Sequence, residues 1–348
     1  MITKRKNRYT NHLKCFYEET DVKKLAYNDV NIADAVVALG KFEGLHKGHM
    51  LLINKVLQLS HEAGKQSVVF SIDMPGTKRI YTIPERDRLL EELGIDWNVT
   101  CEFTKKFAAM KPETFVKDVL VERLHPEYVV VGNDFRFGKN RQGDVTMLQE
   151  YGTRYGFEVL AFEKLREQGT IISSSYIREQ IEQGAVDVVR EYMGRPYSIS
   201  GIVQYGKQLG ATIGFPTANL IQTEEKLLVP NGVYETRVTV NNQHYRGVTN
   251  VGDNPTVDAD HKIKVETNIL DFNENLYGTC LKIEFLRQIR KEIKFDSIEA
   301  LKNQIKSDIL EVAPVAQWIE QWPPEPCAEV RFLSGAFLYI VVRRRTYE

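Results

Sequence analysis

The chain has 348 residues, long for a single hydrophobic core and suited to two domains. Its 46 Lys and Arg nearly cancel its 47 Asp and Glu, and a net charge of −1 offers no broad cationic surface for nucleic acid. No apolar run approaches the roughly 20 residues of a membrane span, and the basic start (Lys4, Arg5, Lys6, Arg8) lacks the apolar stretch of a signal peptide.

Cys15, Cys101, Cys280 and Cys327 lie far apart without C-x-x-C spacing, which predicts reduced thiols in a cytoplasmic protein. The run Ala35-Val36-Val37-Ala38-Leu39-Gly40 reads as a buried strand, and 50–63 carry the spacing of an amphipathic helix. His46-Lys47-Gly48-His49 therefore falls at a strand-to-helix junction. Unpaired N–H groups and the positive end of the helix dipole favour an anion there. Imidazoles at His46 and His49 add donors that follow charge on a phosphoryl group, and Gly48 lets the backbone approach a ligand. The same residues also fit a plain helix start with surface histidines. Metal ligation is disfavoured, because no Cys or second His pair stands nearby at ligand spacing. The commoner nucleotide motifs fail: Gly132 to Asn140 is too long for a P-loop and ends in Asn, and no G-x-G-x-x-G follows the first strand.

Short β-like runs at 67–72, 97–101, 128–131 and 158–162 alternate with helical spacing at 84–93, 112–124 and 145–155. Such alternation predicts a parallel sheet with helices on both faces. Ligands of these sheets bind at the carboxyl ends of the strands, so 46–49 and Gly132-Asn133-Asp134-Phe135 are expected to converge. Ile172-Ser173-Ser174-Ser175-Tyr176-Ile177-Arg178 leads into a short helix, where the hydroxyls serve either as a cap or, with Arg178, as a phosphate grip. After Gly194-Arg195-Pro196 the texture changes. Segments 197–204, 232–240, 245–250, 264–270 and 280–285 read as strands between Gly, Asn and Pro turns, which predicts a small antiparallel β-barrel. Asn241-Asn242 suits a tight hairpin. A C-terminal helix is expected after Ser297 as N-cap, with Ile298, Leu301 and Ile305 on one face.

Three stretches, Phe42 to His49, Gly132 to Gly138 and Ile172 to Arg178, closely resemble the adenylyltransferase module of bacterial bifunctional riboflavin kinase/FMN adenylyltransferases, the FAD synthetases. Gly214 to Asn219, Asn250 to Thr256, Val265-Glu266, Asp271-Phe272, Leu276-Tyr277-Gly278 and Arg290 to Phe295 resemble the kinase module of the same family. The resemblance covers about residues 20 to 310 in family order. It implies a Rossmann-like α/β nucleotidyltransferase domain over 1–193 and a riboflavin kinase β-barrel with its C-terminal helix over 194–311. It implies phosphorylation of riboflavin to FMN by ATP, then adenylylation of FMN to FAD with release of pyrophosphate. His46 and His49 would face the ATP phosphates beside Gly48, with Ser173, Ser174, Ser175 and Arg178 closing over them. Asn133 and Asp134 would line the shared nucleotide and flavin pocket; the alternative for Asp134 is a plain turn residue.

In the kinase, riboflavin's 5′-hydroxyl loses a proton as it attacks the γ-phosphorus, and a carboxylate suits that task. The resemblance makes Glu266 the base, with Asn219 orienting the hydroxyl. It places Gly214 and Thr217 at the nucleotide, with the Thr217 hydroxyl on Mg²⁺, and Arg290 against the flavin product. Each has a plainer reading: Glu266 on a solvent face, Thr217 in an ordinary turn, Arg290 as a surface charge. Glu43 stands where Asp is usual, Ser175 where Thr is usual, and Ala211 where the family commonly has Arg, so a phosphate-facing cation is missing from the kinase module. The expected ligands are riboflavin, FMN, FAD and ATP, with Mg²⁺ as the hard cation; no nucleic acid, membrane or obligate protein partner is indicated. Residues 312–348 do not fit the family and resemble a read-through tail, expected to be disordered and inert, with a partner-binding segment as the alternative. Two further functions compete: a nucleotidyltransferase with a non-catalytic barrel, and a flavin-binding protein without catalysis.

Overall fold

In a computed structural model, the structure describes residues 23–205, 209–222, 225–252 and 264–312. The first half is a six-stranded parallel sheet in the order β1-β4-β3-β2-β5-β6: β1 Lys23–Ala26, β2 Ala35–Gly40, β3 Gln66–Asp73, β4 Trp97–Glu102, β5 Pro126–Gly132 and β6 Glu158–Phe162. β2 is buried on both faces, which explains why it reads as one apolar run without alternation. Helix α1 (Lys47–Ala63) packs Leu52, Ile53, Val56 and Leu59 inward and stops at Gly64, whose left-handed φ of 65° lets its N–H cap Ser60 O. Helix α2 (Ile83–Glu92) opens on a capping box of Thr82 and Glu85 with Pro84 in its first turn.

β1, at the sheet edge, was not expected, because Lys-Lys-Leu-Ala offers no strand periodicity. The helix expected over 112–124 is helical throughout but is wound as a π-helix from Phe115 to Val121, between short α turns. Strand order runs one way from β2 through β3 to β4 and the other way from β5 to β6. The topological switch point therefore lies between the carboxyl ends of β2 and β5.

After a two-stranded antiparallel pair, β7 Arg166–Glu167 and β8 Thr170–Ile171, the second half is a closed antiparallel barrel in the order β10-β13-β12-β11-β14-β9: β9 Tyr197–Gln204, β10 Ala218–Ile221, β11 Gly232–Val240, β12 Gln243–Gly252, β13 Lys264–Ile269 and β14 Cys280–Lys291. Asn241 and Asn242 join β11 to β12 with φ of 48° and 64°, the two positive angles a type I′ turn requires. Inside, Thr236, Thr249 and Thr267 form a buried hydroxyl ladder at 2.8 and 2.9 Å. Strand β10 was not expected, since its residues read as a motif loop. The C-terminal helix Ile298–Glu311 is capped by Ser297 as expected, but Ile298 is 62% exposed. The helix is held instead by buried Asp308, which pairs with Arg290, and by Val312, which packs with Val233 and Val248. Val312 thus belongs to the fold; the rest of the expected tail, 313–348, lies outside the described residues. Cys101 is a free buried thiol, its pKa pushed up to about 12 by burial.

The two halves share apolar packing. Ile80, Tyr81, Ile172, Ile177, Val186 and Val189 belong to the same buried cluster as the barrel interior, so helices Ser174–Gln183 and Val186–Met193 are packed with the barrel.

Candidate active sites

His46 caps α1 through its side chain: Nδ1 accepts the His49 N–H at 3.2 Å. Imidazole is an unusual N-cap, and accepting at Nδ1 places the proton of the neutral ring on Nε2. The His46 and His49 rings stack with centroids 3.7 Å apart, and His49 Nδ1 is buried without a partner. Burial first, and the Arg195 guanidinium second, pull His46 down to about 4; burial, His46 and Arg195 hold His49 well below its ordinary value. Both rings are neutral at pH 7, so each has an N–H to offer without carrying a charge into an apolar site.

Gly48 has a reason beyond ligand approach. A Cβ there would stand 3.2 Å from His46 Nδ1 and 3.3 Å from its Cε1, so a side chain would press on the capping ring. The loop into α1 is tightly turned, with Phe42 and Leu45 both at φ 44° and both fully buried.

Glu43 joins this loop to the serine segment. Its Oε1 accepts the Ile80 N–H at 3.1 Å and pairs with Arg178 Nη2, while Arg178 Nη1 donates to Lys78 O at 2.6 Å. Glu43, Ser174, Ser175, Arg178, Asp73 and Thr77 line one cleft of about 310 Å³. Ser173 is the N-cap of its helix, accepting from Tyr176 N at 3.3 Å, so its hydroxyl performs the plainer task. Asn133 and Asp134 follow β5 at the switch point, opposite the end of β2, in an exposed turn. There Asn133 donates to Glu163 at 2.5 Å and Asp134 pairs with Lys164 at 2.7 Å, outside the cleft around Arg178.

On the barrel, Glu266 stands directly opposite Asn219 across β10–β13 and opposite Asn250 across β12–β13. Their neighbours Val265, Leu220 and Val251 are fully buried in the barrel, so strand alternation puts the amide-flanked carboxylate on the outer wall. Asn250 opens one of the stretches that resemble the kinase module, but its place opposite Glu266 is revealed only by the register. Asn219 Nδ2 donates to Thr217 O at 3.3 Å, tying the strand to the turn before it. That turn needs its glycines: Gly214 has φ 92°, and a Cβ on Gly210 would lie 2.4 Å from Phe215 O. Ala211 falls in the short helix Leu209–Thr212 that precedes the turn. Arg290, expected at the flavin, grips Asp308 through Nε at 2.9 Å and Nη2 at 2.8 Å. Among the described residues no cluster of His, Cys, Asp or Glu has the form of a metal site. The hydroxyl and carboxylate oxygens of Thr217 and Glu266 are nonetheless the hard donors that a phosphate-bound Mg²⁺ prefers.

Comparison with known proteins finds two family models along the chain. The family model for FAD synthetase matches residues 29–176 and that for riboflavin kinase matches 193–315. The bifunctional riboflavin kinase/FMN adenylyltransferase of Bacillus subtilis is 35% identical over 79% of this chain and 90% of its own. That of Escherichia coli K12 is 34% identical over the same shares. A crystal structure of a protein from Streptococcus pneumoniae, named as a macrolide-efflux protein, superposes with a TM-score of 0.74 at 28% identity, covering 87% of this chain and 100% of that one. That name does not transfer; among the described residues no helix is long and apolar enough to cross a membrane. On the two matched domains and the relatives that span nearly their whole length, this chain belongs to the bifunctional riboflavin kinase/FMN adenylyltransferases.

Proposed function

We propose that the family's two reactions run at two separate sites here, adenylyl transfer at the sheet's switch point and phosphoryl transfer on the outer barrel wall. The observation that carries this reading is the sorting of the motif residues into a neutral stacked histidine pair at a helix N-terminus and a carboxylate flanked by two amides on another fold. We place the domain border at 193/194, with 313–348 outside both reactions.

In adenylyl transfer the FMN phosphate attacks the α-phosphorus of ATP and pyrophosphate leaves. The nucleophile is already an anion, so the site supplies alignment and charge stabilisation without a base. His46 Nε2–H and His49 donate to the phosphate oxygens, aided by the free N–H groups of α1. Arg178 turns from Glu43 and Lys78 O toward the phosphates, with Ser174 and Ser175 beside it. Asn133 and Asp134 form the flavin side of the pocket.

In the kinase reaction Glu266 takes the proton of riboflavin's 5′-hydroxyl as that oxygen attacks the γ-phosphorus of ATP, and ADP leaves. Asn219 and Asn250 fix the carboxylate and the hydroxyl. The Thr217 hydroxyl would hold Mg²⁺ together with the ATP phosphates, where the ion would neutralise phosphate charge. Riboflavin, FMN, FAD and ATP are the partners, and the repeated use of ATP fits a cytoplasmic location.

Single variants separate the sites. Glu266→Gln is expected to lower FMN formation from riboflavin by about 10²-fold or more while FMN is still converted to FAD. His46→Asn, which keeps an N-cap, is expected to lower FAD formation from FMN by about 10²-fold and leave riboflavin phosphorylation intact. Either variant losing both activities, with the fold retained by circular dichroism, would contradict the assignment.

A further inference from the structure

Arg195 lies in the stretch matched by riboflavin kinase, just before the barrel's first strand, yet its side chain reaches into the other half. Its Nη2 donates to Gly44 O at 3.1 Å and to Leu45 O at 2.9 Å, the two carbonyls immediately before His46. Nη1 donates to Met193 O at 3.5 Å, and the guanidinium lies over the Tyr81 ring at 5.5 Å. The loop it grips is costly to hold, because Phe42 and Leu45 are buried in left-handed conformations that disfavour side chains by roughly 1–2 kcal/mol each. Two charge-assisted hydrogen bonds to adjacent carbonyls offset that cost, and the planar fork permits both at once where a lysine would make only one well.

We propose that Arg195 is a positioning residue of the adenylyltransferase site, fixing from the barrel side the Gly44–Leu45 backbone that aims the His46 and His49 rings. The chain runs from Leu45 directly into His46, whose ring caps α1 and stacks on His49, so a shift of the two carbonyls moves both imidazoles together. The cation also stands beside the two rings, favouring their neutral form while remaining as fixed positive background for an incoming polyphosphate.

The inference rests on His46 facing the ATP phosphates, and its test keeps the two claims apart. FMN adenylylation is measured for Arg195→Met, Arg195→Lys and His46→Asn, with riboflavin phosphorylation on the same preparations and imidazole titrations by NMR. Arg195→Met is expected to lose roughly 30- to 100-fold in kcat/KM for adenylylation, to keep riboflavin phosphorylation within about twofold, and to titrate His46 at higher pH than wild type. Arg195→Lys restores the low His46 titration through its charge but recovers only part of the rate. Adenylylation within about twofold of wild type in Arg195→Met, or parallel loss of both activities in a folded Arg195→Lys, would overturn the proposal. Should Arg195→Met not fold, Arg195→Lys decides alone, and selective loss of adenylylation is required of it. Full adenylylation by His46→Asn would instead refute the phosphate-site reading, whatever Arg195 does.

Discussion

His46 combines three tasks that usually fall to different residues. Its Nδ1 is an N-cap acceptor, its ring is half of a stacked pair, and its remaining N–H is free for a ligand. The first task fixes the tautomer that the third requires. It also sets a pH dependence. His46 falls from 6.5 in the unfolded chain to about 4 in the fold, so between those values the unfolded chain binds the extra proton. Stability is therefore greatest above about pH 6.5, declines as pH falls toward 4, and loses roughly 3 kcal/mol through this residue at about 1.4 kcal/mol per pH unit. His49 adds to the same slope. Urea unfolding across pH 4–7 is expected to show this decline in the wild type and a visibly shallower one in His46→Asn. Equal slopes in the two proteins would mean that His46 is not held neutral.

Elements differ in how legible they are in sequence, and the reason is physical. β2 and the barrel strands announce themselves through burial patterns, continuous for a strand covered on both faces and alternating for β13, where Val265, Thr267 and Ile269 point in and Glu266 points out. α1, α2 and the C-terminal helix carry their caps in sequence, although His46 is outside the usual capping set. β1 and β10 carry no such pattern, because an edge strand and a four-residue strand are specified by their partners. The same limit applies to the sites. As candidates, His46, Gly48, Ser175, Arg178 and Glu266 are legible through their local motif context. Arg195 is not, and Asn250 is legible only as the start of a motif stretch, since register creates its place opposite Glu266 and a contact about 150 residues distant in sequence creates that of Arg195. Arg290 is likewise a motif residue, and its guanidinium also secures Asp308 of the C-terminal helix.

At the scale of the whole molecule, the two halves are joined by a buried charge. Lys226, with no side-chain exposure, donates to Glu85 Oε2 at 2.7 Å, Ile80 O at 2.8 Å and Ser198 O at 2.9 Å, and sits over the rings of Tyr81 and Tyr197. Glu85 caps α2 and also accepts the Ser200 N–H of β9 at 3.0 Å. Burial lowers the Lys226 pKa, and the Glu85 carboxylate opposes that fall. Removing one partner leaves a buried charge unpaired, so Lys226→Met is expected to destabilise by roughly 3–5 kcal/mol, and Glu85→Gln combined with it to recover part of that loss. Urea midpoints of the single and double variants check this; additive losses would show that the pair is not coupled. The two halves thus form one continuous fold, while the two proposed sites lie apart on it. The most direct measurement mixes the His46→Asn and Glu266→Gln proteins with riboflavin, ATP and MgCl₂ and follows riboflavin, FMN and FAD by chromatography. Two separate sites predict that His46→Asn alone stops at FMN, Glu266→Gln alone leaves riboflavin untouched, and the mixture makes FAD. A mixture that forms no FAD, or either variant forming it alone from riboflavin at the wild-type rate, would contradict the account.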